Sequence, residues 1–81
     1  MTLHKFQLLE PGERLAVIVA QAKYLSERID GAYTYKLHQL GTFYIEEEWH
    51  HVFNERRNFV AFISDERLKL YTGLPDLSSN I

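Results

Sequence analysis

The chain has 81 residues, no cysteine and a formal charge of −2 from nine Lys+Arg against eleven Asp+Glu. That length allows one small domain with a thin core. The absence of thiols removes disulfide frameworks, thiolate metal sites and cysteine nucleophiles, and the mild acidity argues against a nucleic-acid surface, which needs a basic stripe to neutralise phosphates. Five Phe, five Tyr and one Trp supply large buried area per residue, so a core without covalent staples is feasible.

Residues 1–10 have no clear period, although Leu3, Phe6, Leu8 and Leu9 are apolar enough to dock. They lack the apolar run and small-residue cleavage site of a leader peptide. No window reaches the roughly 20 apolar residues of a membrane span. The expectation is a soluble cytoplasmic protein.

Residues 11–30 read as one long helix. Pro11 suits a first helical position, and Glu10 and Glu13 suit the positive end of the helix dipole. Leu15, Ile18, Val19, Ala22, Leu25 and Ile29 follow the i, i+3, i+4, i+7 spacing of an apolar helical face. Gly31 then reads as a C-terminal cap. Such a helix would be about 30 Å long, enough to lie along a whole sheet.

Residues 31–64 read as a three-stranded antiparallel meander. Odd positions carry most of the apolar residues in each strand: Tyr33, Tyr35 and Leu37, then Phe43, Ile45 and Trp49, then Phe59, Ala61 and Ile63. Directly opposed residues share a face, so matching odd to odd requires three-residue loops. Gln39-Leu40-Gly41 and Val52-Phe53-Asn54 satisfy this, each with a residue tolerant of the left-handed region at its third position. The expected pairs include Leu37 with Phe43, Tyr35 with Ile45, Ile45 with Ala61, Glu47 with Phe59 and Trp49 with Arg57. Residues 65–72 read as a short helix capped by Ser64-Asp65, and residues 73–81 as a tail. The expected class is therefore α+β: a long N-terminal helix on a three-stranded meander, then a short C-terminal helix.

The even face of this meander would present Tyr44, Glu46, Glu48, Val60 and Phe62. These are the candidate interface residues, because an apolar centre left open on a small protein usually marks an interaction surface. The competing expectation is that the C-terminal helix or the N-terminal segment folds over them. Glu47 falls on the odd, core-side face. It reads either as a carboxylate paired with Arg57, Lys23, Arg28 or a tyrosine hydroxyl, or as a ligand-pocket residue with a raised pKa. His50-His51, with His38 and His4, lacks any established ligand spacing, so no metal site is expected. No glycine-rich phosphate loop or nucleophile motif is present either, and no catalytic residue or cofactor is assigned.

The stretch Leu37-His38-Gln39-Leu40-Gly41-Thr42-Phe43-Tyr44-Ile45-Glu46, preceded by a helical segment, resembles a pattern in short bacterial proteins of no known function. The resemblance covers the middle two-thirds of the chain. It implies a helix followed by a three-stranded meander and transfers no site. In that pattern the position of Glu47 is apolar.

The reading that results is a non-catalytic protein-interaction or accessory module with a protein partner or a second copy of itself, associating through the sheet as a homodimer. The alternative is a small ligand-binding or minor enzymatic role centred on Glu47 and His50.

Overall fold

The computed structural model describes residues 1–63 and 66–71. The elements run α1 (Leu3–Gln7), α2 (Pro11–Gln21), β1 (Lys23–Asp30), β2 (Tyr33–Leu40), β3 (Phe43–His50), β4 (Glu55–Phe62) and a 3-10 turn (Glu66–Leu70). The strands form one antiparallel sheet in the order β1-β2-β3-β4.

The long helix expected over 11–30 is not present. α2 starts as anticipated, with Pro11 in its first turn and a reciprocal capping arrangement between Glu10 and Glu13. It stops at Gln21, where Ala22 adopts an extended conformation while its N–H still bonds Ile18 O. The remaining stretch, Lys23–Asp30, is a fourth strand, so the sheet is not the three-stranded meander the sequence suggested. The physical reason lies at Asp30-Gly31-Ala32. Gly31 has φ +60 and is the first central residue of a two-residue hairpin turn, which a glycine there favours. Once β1 pairs with β2, the backbone groups on its β2 side are satisfied by the sheet. Val19 and Ile29, expected on a buried helical stripe, are both exposed.

The second turn also differs. Gly41, with φ +61, begins a two-residue turn, Gly41-Thr42, so Leu40 opposes Phe43 and Leu37 opposes Glu46. Tyr33, Tyr35 and Leu37 therefore share a face with the even residues of β3. Between β3 and β4 the expected pairs Ile45–Ala61 and Glu47–Phe59 are found. The loop is four residues, His51 to Asn54, and not the three expected, because His50 pairs with Glu55; its last residue, Asn54, takes the left-handed conformation, φ 53. A bulge near Trp49 shifts its partner from Arg57 to Arg56.

The sheet buries both faces. On one, α1 and α2 cover Leu40, Phe43 and Ile45 through Phe6 and Ile18. Phe6 and Phe43 meet with ring centroids 5.8 Å apart. On the other, Leu37 and Phe62 pack under Tyr71, with Leu25, Tyr44, Val60 and Leu68 around them. The C-terminal element expected as a helix over 65–72 is the 3-10 turn Glu66–Leu70. Its expected cap and the tail over 73–81 lie outside the described residues.

Candidate functional site

The sheet face beneath the 3-10 turn holds the five candidate interface residues, which the register brings together as neighbours. Glu46 and Phe62 are buried there, and Tyr44, Glu48 and Val60 are half-buried. Tyr44 stacks on Phe62 at 5.7 Å. The centre of this patch is therefore internal packing, with Tyr71 and Leu68 as its cover.

Glu46 is held by a phenol and two guanidinium groups. Tyr71 donates its hydroxyl hydrogen to Oε2 at 2.7 Å, Arg28 lies 3.6 Å from the same oxygen, and Arg67 lies 3.9 Å from Oε1. Burial, reinforced by the bond to Glu46, pushes the Tyr71 phenol well above its usual pKa. Arg28 also sits 4.0 Å over the Tyr35 ring. A buried carboxylate is tolerated because opposite charge and hydrogen bonds replace water. Here they fasten the C-terminal segment to the sheet.

Glu47 points to the opposite face. Its partners are Arg56, whose Nε lies 2.5 Å from Oε2, and His38, whose Nε2 lies 3.5 Å from Oε1. His38 Nε2 makes no hydrogen bond there, so Arg56 is the closer partner of the two. His38 and then Arg56 hold the carboxyl down at about 2, against the opposing pull of burial. Glu47 is thus a paired carboxylate, as one of the two readings had it, but its partners are Arg56 and His38 and not Arg57, Lys23, Arg28 or a tyrosine, and the raised pKa of the other reading is not found.

His50 lies on the other face from Glu47, so the two do not form a common site. His50 meets Tyr33 edge-on and stacks against Phe53, both at 4.8 Å. Phe53 N–H donates to its Nδ1 at 3.2 Å. Tyr33 in turn stacks on Tyr35 at 6.0 Å. The result is a run of four rings, Tyr35–Tyr33–His50–Phe53, at the end of the sheet beyond the 3-10 turn. Phe53 is 68% exposed. His51 N–H donates to Ala32 O at 2.9 Å, which ties the turn bearing Phe53 to the first hairpin. Sequence reading placed Phe53 in a loop and gave it no role. The cue that could have found it is the aromatic residue one position before the left-handed Asn54.

A cleft of about 270 Å³ opens between the first turn of α2 and the start of β4. Arg14, Arg56 and Arg57 line it, with Leu15 and Phe59 as apolar wall. Sequence reading missed this site, because its residues lie more than forty positions apart along the chain. No cluster of three or more metal-ligating side chains occurs among the described residues.

Comparison with family models, curated proteins and solved structures found no match to this chain. No helix among the described residues is long and apolar enough to cross a membrane.

Proposed function

We propose that this chain is a non-catalytic protein-interaction module that associates with a second copy of itself through the end of its sheet. The observation that carries the reading is the ring run Tyr35–Tyr33–His50–Phe53, whose outer member Phe53 is 68% exposed while Tyr33 and Tyr35 are half-buried and His50 is buried behind it. Interfaces are enriched in aromatic side chains, which contribute large area with few rotatable bonds to order. The surroundings favour a copy of the same chain. Arg28 and Asp30 flank the patch on the β1 side, and Glu48, Glu55 and Arg57 on the β4 side. Both signs are therefore present on each side, as a twofold contact requires if each charge is to meet its opposite. The cytoplasmic setting expected from the sequence belongs to this proposal.

Light scattering coupled to size exclusion tests it. The wild type is expected to run at twice its 9.6 kDa mass at tens of micromolar, and Phe53→Asp as a folded monomer with an unchanged far-UV spectrum. Phe53 lies in an exposed turn, so the substitution leaves the core intact. A wild type that stays monomeric at millimolar concentration overturns the proposal.

A further inference from the structure

We propose that the cleft between α2 and β4 is a binding site for a small dianionic ligand with an apolar body, of the phosphate-monoester class. The chain is acidic overall, yet three of its five arginines, Arg14, Arg56 and Arg57, converge on this one cleft. Among the described residues, no carboxylate lines it. Arg56 and Arg57 each have a carboxylate partner outside the cleft, Glu47 and Glu55, and Arg14 has none among the described residues.

Each guanidinium is held from outside the cleft. Arg14 Nη2 donates to Gln7 O at 2.8 Å. Arg56 is fixed through Nε to the buried Glu47. Arg57 Nη2 lies 2.8 Å from Glu55. A guanidinium has five donors in a rigid fork, so one anchored edge orients the group and leaves others for a ligand. The anchors differ in what they cancel. Gln7 offers a neutral carbonyl, so Arg14 keeps its whole charge. The Arg57–Glu55 pair is largely exposed, and such pairs are weak enough to open towards a better anion. Arg14 Nε adds a buried donor without a hydrogen-bond partner among the described residues.

The ligand class follows from this geometry. Planar forks match phosphate and carboxylate oxygens two at a time. Three of them suit a dianion better than a monoanion. Leu15 and Phe59 offer an apolar wall for the rest of the molecule, and 270 Å³ is the size of a small metabolite rather than a nucleic-acid strand or a folded partner. Pro11 has no N–H and the capping arrangement takes up the Glu13 N–H, so of the first-turn amides only that of Gly12 is left and the arginine side chains carry most of the recognition. The cleft shares Arg57 with the edge of the ring run, where its guanidinium stands 5.8 Å from the Phe53 ring centroid.

Phenyl phosphate is the probe, titrated into the full chain labelled with 15N at 50 mM salt. The expected result is a saturable shift of amide signals confined to Gly12, Arg14 and residues 56–59. Arg57→Gln is expected to weaken binding at least tenfold, with other changes confined to its contacts Glu55 and Phe53, since the buried Glu47–Arg56 pair stays intact. Lys23→Gln, which removes the same charge from β1, is expected to leave affinity within twofold. Succinate binding as tightly as phenyl phosphate would reassign the class to dicarboxylates and overturn the phosphate assignment. Shifts spread over Lys5, Lys23 and Lys36, an equal loss in the Lys23 variant, or no shift at millimolar probe would overturn the site.

Discussion

Glu46 and Glu47 are consecutive in the chain and buried on opposite faces of β3, at 4% and 7% exposure. Each is neutralised by arginine: Arg28 and Arg67 for the first, Arg56 for the second. One interior strand thus anchors two unrelated structures. On one face it fastens the C-terminal 3-10 turn through Tyr71, and on the other it orients Arg56 at the cleft.

Tyr71→Phe keeps the ring and removes the hydrogen bond donated to Glu46. A buried carboxylate oxygen then loses a partner, and the expected destabilisation is about 1–2 kcal/mol. Urea denaturation followed by tryptophan fluorescence measures it, through a lower midpoint at unchanged slope. A change below a few tenths of a kcal/mol would mean that the arginines alone satisfy Glu46.

Glu47 makes stability sensitive to acid. Its carboxyl titrates at about 2 in the folded chain and near the ordinary value of roughly 4.3 when unfolded. The depressed folded value means that the stabilisation is complete above the unfolded pKa and is lost as pH falls from about 4 towards 2. Glu47→Gln is expected to cost about 2–3 kcal/mol at pH 7 and to flatten this acid limb. Thermal melts between pH 2 and 7 compare the two slopes, and parallel curves would refute the assignment.

Gly41 is required for its backbone angle and not for space. A Cβ built there would come no closer than 4.0 Å to Met1 O, but φ is +61. Gly41→Ala is therefore expected to cost about 1–2 kcal/mol from conformational strain alone. In a chain of this size that lowers Tm by roughly 4–16 °C. Asn54→Gly, at φ 53, is expected to raise stability slightly or leave it unchanged. Calorimetry on the two variants should move in these directions, and a neutral Gly41→Ala would exclude the two-residue turn.

Some of the fold was legible in the sequence, and the errors share one cause. The start of α2, the strands from Tyr33 to Phe62 and the left-handed Asn54 follow from local chemistry. The register of β2 on β3 does not. Matching apolar parities assumes that one face of the sheet is core and the other is wet. Here Leu37 and Phe62 are buried on one face while Phe43 and Ile45 are buried on the other, so hydrophobic alternation no longer selects between registers. The turn glycine decides instead. β1 was hidden for a related reason: Leu25 and Ile29 fit helical spacing as well as they fit a strand, and tertiary pairing overrides a weak propensity. At the candidate sites, the side of the strand that Glu47 occupies was readable from β3 alone. Its partners His38 and Arg56 depend on both neighbouring strands and could not be read.

The order β1-β2-β3-β4 has a kinetic consequence. Every strand pairs with its immediate neighbour along the chain, so no long loop must close before the sheet can grow. Isolated hairpins form in about 1–10 μs, and Gly31 and Gly41 each nucleate one. Because β2 belongs to both hairpins, whichever turn closes first already supplies half of the other, and refolding can begin at either glycine without trapping the chain.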